Sequence, residues 1–187
     1  MKLNNTYYIL RHGLSTSNTK GYLSAWPEKR ISHLVSKGKK QIQKAGREFK
    51  KIGLDLIFSS DMYRTKQTSA IVSKITKIKV IFNKELREIN PGIFNNTENG
   101  NYRNYFKNKI EWINKRPPHG ESHIDCQKRM VNVLKKIDKK YKGKKILIVS
   151  HGNPLWMLES AVKNWNHAKL LKEYSTRILP GEWRKLN

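Results

Sequence analysis

The chain is short of cysteine, of acidic residues and of long apolar runs. Cys126 is the only cysteine among 187 residues, which rules out an intrachain disulfide and leads us to expect a reducing compartment, the cytoplasm. No run approaches the roughly 18 apolar residues of a membrane span. The apolar stretch Tyr7-Tyr8-Ile9-Leu10 is cut by Arg11-His12, which argues against a signal peptide. No P-loop, glycine-rich dinucleotide fingerprint, Cys/His cluster or HxxxH spacing occurs, so neither a nucleotide cradle nor a metal site is expected.

Acidic residues number 14 against 39 Lys and Arg, a net charge of +25. One reading is nucleic-acid binding or steering of anionic substrates. The other is biased composition: lysine far outnumbers arginine, asparagine and isoleucine are abundant, and all three favoured residues have A/T-rich codons. The lysines are scattered, and arginine, the preferred residue for base readout, is scarce. We favour the compositional reading, so nucleic acid is not the expected partner. Anions are steered in either case.

A hydrophobic share of 37% is low, yet the apolar runs are separated and periodic, which argues against disorder. A single domain over residues 1–187 is expected, without repeat or linker; a chain of this length buries roughly 70% of its unfolded surface. Strand and helix patterns alternate, the signature of an α/β fold with a largely parallel sheet. Strands are expected at 6–10, 55–58, 79–82 and 145–150, with a weaker one at 182–186. Helices are expected from Ser36 to a stop at Gly53, after Asp61, over 101–113, from a Ser122/Asp125 capping box, and from Pro154. Residues 14–33 read as a long loop, and 89–121 as the least regular part.

Chemistry concentrates at strand ends. Arg11-His12-Gly13 follows the first strand and Ser150-His151-Gly152 follows the strand at 145–150, where open α/β sheets place ligands. A guanidinium beside an imidazole disfavours the imidazolium and binds phosphate oxygens in a fork. Ser59-Ser60-Asp61-Met62-Tyr63-Arg64-Thr65-Lys66-Gln67-Thr68 puts Arg64 in a first helical turn, where the dipole favours anions. Leu86-Arg87-Glu88 follows a third strand. Each has a structural alternative: a core histidine on a carbonyl, an arginine and a glutamate in an ordinary ion pair. Arginines beside the histidines also repel a divalent cation.

These segments, in this order over residues 7–153, resemble the histidine phosphatase superfamily, or phosphoglycerate mutase-like family. Arg11-His12-Gly13 is similar to its nucleophile motif, residues 59–68 to its second phosphate-arginine motif, and Leu86-Arg87-Glu88 to its acid motif. Gly120-Glu121-Ser122 and Ser150-His151-Gly152 are similar to its mid-chain and second-histidine motifs. The resemblance implies a three-layer αβα sandwich around a mostly parallel sheet. It implies that His12 is the nucleophile and that Arg11, Arg64, His151 and Asn18 hold the phosphoryl oxygens, with His151 at least partly protonated. Glu88 would be the acid, its pKa raised, and Ser15 an additional phosphate contact. No cofactor is implied for a phosphatase; the alternative, a phosphoglycerate mutase, would depend on 2,3-bisphosphoglycerate.

The sequence departs from the family after Glu88. Gly92-Ile93-Phe94-Asn95-Asn96-Thr97 lacks the carboxylate found there in many phosphatases, and the Gly-Leu-Asn-Lys of mutases is absent. A short chain with an open site favours water as acceptor, hence a phosphomonoester hydrolase acting on a small phosphorylated metabolite. Region 92–118 is expected to choose that substrate, through Tyr102, Arg103, Tyr105, Lys109, Trp112 and Arg116, with Glu121 as a further contact. The aromatics equally suit the buried face of a lid helix, and Glu121 a helix-dipole role. A basic nucleic-acid-binding protein with a vestigial pocket is the remaining alternative.

Overall fold

The computed structural model describes residues 1–187. Five strands form one mixed sheet in the order β3-β2-β4-β1-β5. β1 (Thr6–Arg11), β2 (Leu56–Ser59), β3 (Val80–Phe82) and β4 (Lys145–Ser150) run parallel, and β5 (Trp183–Lys185) pairs antiparallel with β1. Eight helices accompany them: α1 (Thr16–Lys20), α2 (Ser36–Ile52), α3 (Tyr63–Thr76), α4 (Asn99–Asn104), α5 (Lys109–Asn114), α6 (His123–Lys140), α7 (Gly152–Val162) and α8 (His167–Lys172). None is long and apolar enough to cross a membrane.

The layers follow from the period-2 alternation of strand side chains. On β4, Ile146 and Ile148 face one core with Met130, Val133, Leu134 and Ile137 of α6 and Leu155 and Leu158 of α7. Leu147 and Val149 face the other, with Ile42, Ala45 and Phe49 of α2 and Val72 of α3. β4 is thus covered on both faces, which is why it reads as an unbroken apolar run. The register aligns the chemical segments on one edge: Arg11 pairs with Ser150, and Ser59 with Val149.

Several elements differ from the sequence expectation, and α8 has no counterpart in it. The 14–33 loop contains the short α1. The helix expected at 101–113 is two, because Asn108 caps a new start by accepting from the Glu111 N–H at 2.9 Å. α7 begins at Gly152 rather than Pro154. Proline is tolerated there because first-turn N–H groups have no helical acceptor.

The nucleophile-motif loop lies directly on the start of α2. A Cβ at Gly38 would collide with the Leu14 carbonyl oxygen and lie 2.8 Å from the Leu14 nitrogen. Gly38→Ala gains about 1 kcal/mol of helix propensity, but backbone cannot give way cheaply, so a net loss of about 1–3 kcal/mol is expected. Gly100→Ala, helical with nothing within 4 Å, is the control that should not lose stability. Urea denaturation of both decides; equal stability of the two variants would contradict this packing.

Candidate active site

His12 leaves the end of β1 with its backbone N–H on the Ser150 carbonyl at 3.1 Å and its ring 1% exposed. Nδ1 lies 2.9 Å from the Gly13 carbonyl oxygen, which can only accept, so Nδ1 carries the proton. Nε2 therefore presents a lone pair, and Arg64 Nε donates to it at 3.1 Å. Both contacts demand the neutral Nδ1–H tautomer. Burial drives the His12 pKa well below its ordinary value, helped first by Arg64 and then by Arg11. The arginine that matters more is the one brought from 52 residues away, not the sequence neighbour.

Arg64 is 2% exposed. Its guanidinium donates to Ser24 Oγ at 3.1 Å and to the Ser24 carbonyl at 2.9 Å, and stands 3.7 Å from Glu28. One turn later, on the same helix face, Thr68 Oγ1 accepts the Gly13 N–H at 3.2 Å and donates to the Arg64 carbonyl at 2.8 Å. Gln67 accepts from the Leu34 N–H at 2.7 Å. The Arg-Thr-Lys-Gln-Thr spacing thus aims a guanidinium and pins the loop it serves.

Arg11 Nη1 donates to the Ile178 carbonyl at 3.1 Å, while its Nε is buried without a partner. A Cβ on Gly152 would sit 3.1 Å from Arg11 Cζ, so glycine lets the guanidinium lie against the start of α7. His151, fully buried, packs edge-on against His12 with ring centroids 5.3 Å apart. Its Nε2 lies 2.9 Å from Ser60 Oγ and its Nδ1 has no partner. Burial, then Arg64, His12 and Arg11, push its pKa well down. This corrects the expectation of partial protonation: two nearby guanidiniums and burial keep His151 neutral.

Arg11, His12, Arg64 and Glu88 line one cavity of about 180 Å³ with Asn18, Ser24, Tyr102, Arg103, Trp112, Asn153, Tyr174 and Arg177. Glu88 accepts its neighbour's Ile89 N–H at 2.9 Å. Its loop is tied to β4, since Ser150 Oγ donates to the Leu86 carbonyl at 2.7 Å. Arg87 turns away to Asp61 and stacks on Trp26.

The expected contacts divide. Asn18, Tyr102, Arg103 and Trp112 reach the cavity. Tyr102 is 4% exposed with an unpartnered hydroxyl, and burial raises its pKa. Ser15 does not line the cavity: its hydroxyl donates to Asn18 Oδ1 at 2.8 Å, so it orients Asn18 instead of meeting phosphate. Arg116 is also misplaced by the sequence reading, because its exposed guanidinium is held at 2.6 and 2.8 Å by Asp125. Glu121 pairs with Arg129 at 2.7 Å outside the cavity and accepts the Asn90 N–H. Tyr105 packs on Phe94 and Phe106, and Lys109 borders a neighbouring groove. No group of His, Cys, Asp and Glu is placed to hold a metal ion. Sequence reasoning missed Ser24, Tyr174 and Arg177; none has periodicity or a motif around it.

Two outcomes are expected. Nitrogen-detected NMR across pH 5.5–8 should find His12 as the Nδ1–H tautomer without titration; a midpoint near 6.5 would refute the assignment. His12, His151 and His123, the last held down to about 4 mainly by burial, stay neutral when folded and protonate when unfolded. Because their folded values are depressed, stability should fall as pH drops below about 6.5, by up to about 1.4 kcal/mol per pH unit for each. Urea midpoints that do not decrease between pH 7 and 5 would contradict this.

Comparison with known proteins agrees with the geometry. The profile of the histidine phosphatase superfamily (branch 1) matches residues 7–176. A curated relative, "Probable phosphoglycerate mutase GpmB" of Escherichia coli O1:K1 / APEC, is 29% identical over 162 residues, 83% of this chain and 73% of that protein. Among solved structures, Bacillus stearothermophilus YhfR superposes with a TM-score of 0.77 at 26% identity, covering 89% of this chain and 83% of that one. A mycobacterial glucosyl-3-phosphoglycerate phosphatase complexed with VO3 superposes with a TM-score of 0.77 at 21% identity, covering 96% and 90%.

Proposed function

Since the chain belongs to the histidine phosphatase superfamily, branch 1, we propose that it is a metal-independent phosphomonoester hydrolase working through a phosphohistidine on His12. The observation that carries this reading is the buried, neutral His12 with its Nε2 lone pair on the cavity side, held by Arg64. Residues 1–187 act as one catalytic domain, with 89–121 as its substrate-facing lid, in the cytoplasm, where the lone Cys126 stays reduced.

A phosphoryl group entering the cavity takes over the Arg64 Nε–H, freeing the Nε2 lone pair to attack phosphorus in line. The P–N bond forms as the ester P–O bond breaks, and Glu88 gives its proton to the leaving oxygen. Arg11, Arg64 and the Asn18 amide hold the equatorial oxygens, where charge stabilisation chiefly acts. The unpartnered Nδ1 of His151, carrying the single proton of the neutral ring while Nε2 accepts from the Ser60 hydroxyl, supplies a further donor. Water then attacks phosphorus, Glu88 takes its proton, the P–N bond breaks, and inorganic phosphate leaves with His12 neutral again.

p-Nitrophenyl phosphate should be hydrolysed in EDTA and the turnover inhibited by vanadate. His12→Ala should lower kcat by roughly a thousandfold or more; unaltered turnover in that variant would sink the reading. The name of the Escherichia coli relative favours a second reading, a mutase primed by 2,3-bisphosphoglycerate. Interconversion of 3- and 2-phosphoglycerate without net phosphate release would decide for it.

A further inference from the structure

The arginines fall into two groups. Arg64, Arg87, Arg116, Arg129 and Arg184 each lie within 4 Å of a carboxylate. The rest have no such partner, and Arg11, Arg103 and Arg177 of these line the one cavity described above. Arg11 belongs to the phosphoryl end. Arg103 and Arg177 are left without a task.

These two converge on Tyr174. Arg177 Cζ lies 3.5 Å from the ring centroid, and Arg103 Nη2 donates to the Tyr174 hydroxyl at 2.7 Å. Arg177 Nη1 also donates to Asn153 Oδ1 at 3.2 Å, and its Nε is buried without a partner. Burial lowers the Arg177 pKa; Tyr174 opposes this and the Arg103 charge adds to it. Like charges thus share a neutral ring, with Arg177 half-buried and Arg103 exposed. Cation–π attraction only partly offsets the desolvation of the half-buried Arg177 guanidinium. An anion between them would offset the difference.

The link to the phosphoryl end is short. Arg11 donates to the carbonyl of Ile178, the residue after Arg177, and Asn153 follows His151 by two. The second cationic point therefore stands beside the first clamp, on the wall of the same cavity.

We propose that Arg177 and Arg103 form a second anion subsite, so that the preferred substrate is a small phosphomonoester whose leaving group carries a carboxylate or another phosphate. This rests on the phosphomonoesterase reading above. The test uses 3-phosphoglycerate and glycerol 3-phosphate, near-isosteres in which a carboxylate replaces a hydroxymethyl group. Their inhibition constants are measured against p-nitrophenyl phosphate hydrolysis. 3-Phosphoglycerate should bind about tenfold or more tightly, and in Arg177→Gln the ratio should collapse toward one, with Arg177→Lys intermediate.

A ratio near one in the wild type, or one preserved in Arg177→Gln, overturns the subsite. Equal losses for both ligands also overturn it, marking Arg177 as a phosphoryl contact or a structural residue. Arg103→Gln, expected to lower the same ratio, decides should Arg177→Gln not fold. Propane-1,3-diol bisphosphate in place of 3-phosphoglycerate shows which anion the subsite prefers. Should the wild type not hydrolyse p-nitrophenyl phosphate, the phosphatase reading fails, and the same ratio measured by calorimetry still decides on the subsite.

Discussion

The hydrogen bond from Arg64 Nε to His12 Nε2 exists only while His12 is neutral, and most of the site is arranged to keep it so. The Gly13 carbonyl fixes the proton on Nδ1, burial disfavours a second proton, and two guanidiniums add to that bias. A buried cation donating to a lone pair is costly in isolation. Here the guanidinium is met by two oxygens of Ser24 and by Glu28, while Thr68 holds its helix to the loop it faces. The nucleophile is thus kept unprotonated by a charge that is itself held in place by the 24–28 loop and by a helix pinned to Gly13.

This arrangement makes the sheet edge more than a meeting place. Ser150, last residue of β4, accepts from the His12 N–H through its carbonyl and donates through its hydroxyl to the loop bearing Glu88. Asp61, just past β2, binds Arg87 on that same loop. The acid's backbone is therefore referenced to both neighbouring strands, and the nucleophile to one of them. Displacement of the β4 end moves both reacting groups, which is a physical reason for the motifs to sit at strand ends.

What the sequence makes legible is what local pattern encodes. The unbroken apolar run of β4, the glycine stop at Gly53 and the Ser122–Asp125 box are local, and the structure carries each. The placement of Arg11, His12, Arg64 and Glu88 on one cavity also follows from strand ends in a parallel sheet. Arg177 and Tyr174 were not legible, because they reach the cavity from an irregular stretch before β5 through tertiary contacts alone. Arg116 misled for the opposite reason: it sits beside the cavity-lining segment in sequence, but Asp125 claims it first. Charge in a motif-poor loop says that a residue is free to act, and the nearest carboxylate decides whether it does.

The altered stretch after Glu88 acquires a reason in the same network. Asn95 stands where many family phosphatases carry a carboxylate, and its amide reads the backbone of another loop: Oδ1 accepts from the Ala25 N–H at 2.9 Å, and Nδ2 donates to the Ala25 and Pro27 carbonyls at 3.2 and 3.0 Å. A carboxylate could accept from Ala25 but would face two carbonyl oxygens with no proton to offer. Ala25 follows Ser24, the residue that holds Arg64. The substitution therefore removes a negative charge from the lid and spends the side chain on fixing the clamp. Asn95 itself lies outside the cavity, whose wall carries Glu88 as its only carboxylate together with Arg11, Arg64, Arg103 and Arg177. A wall with that balance selects for anionic ligands by charge before shape is consulted, and the positions of its guanidiniums determine where on the ligand the negative groups must lie.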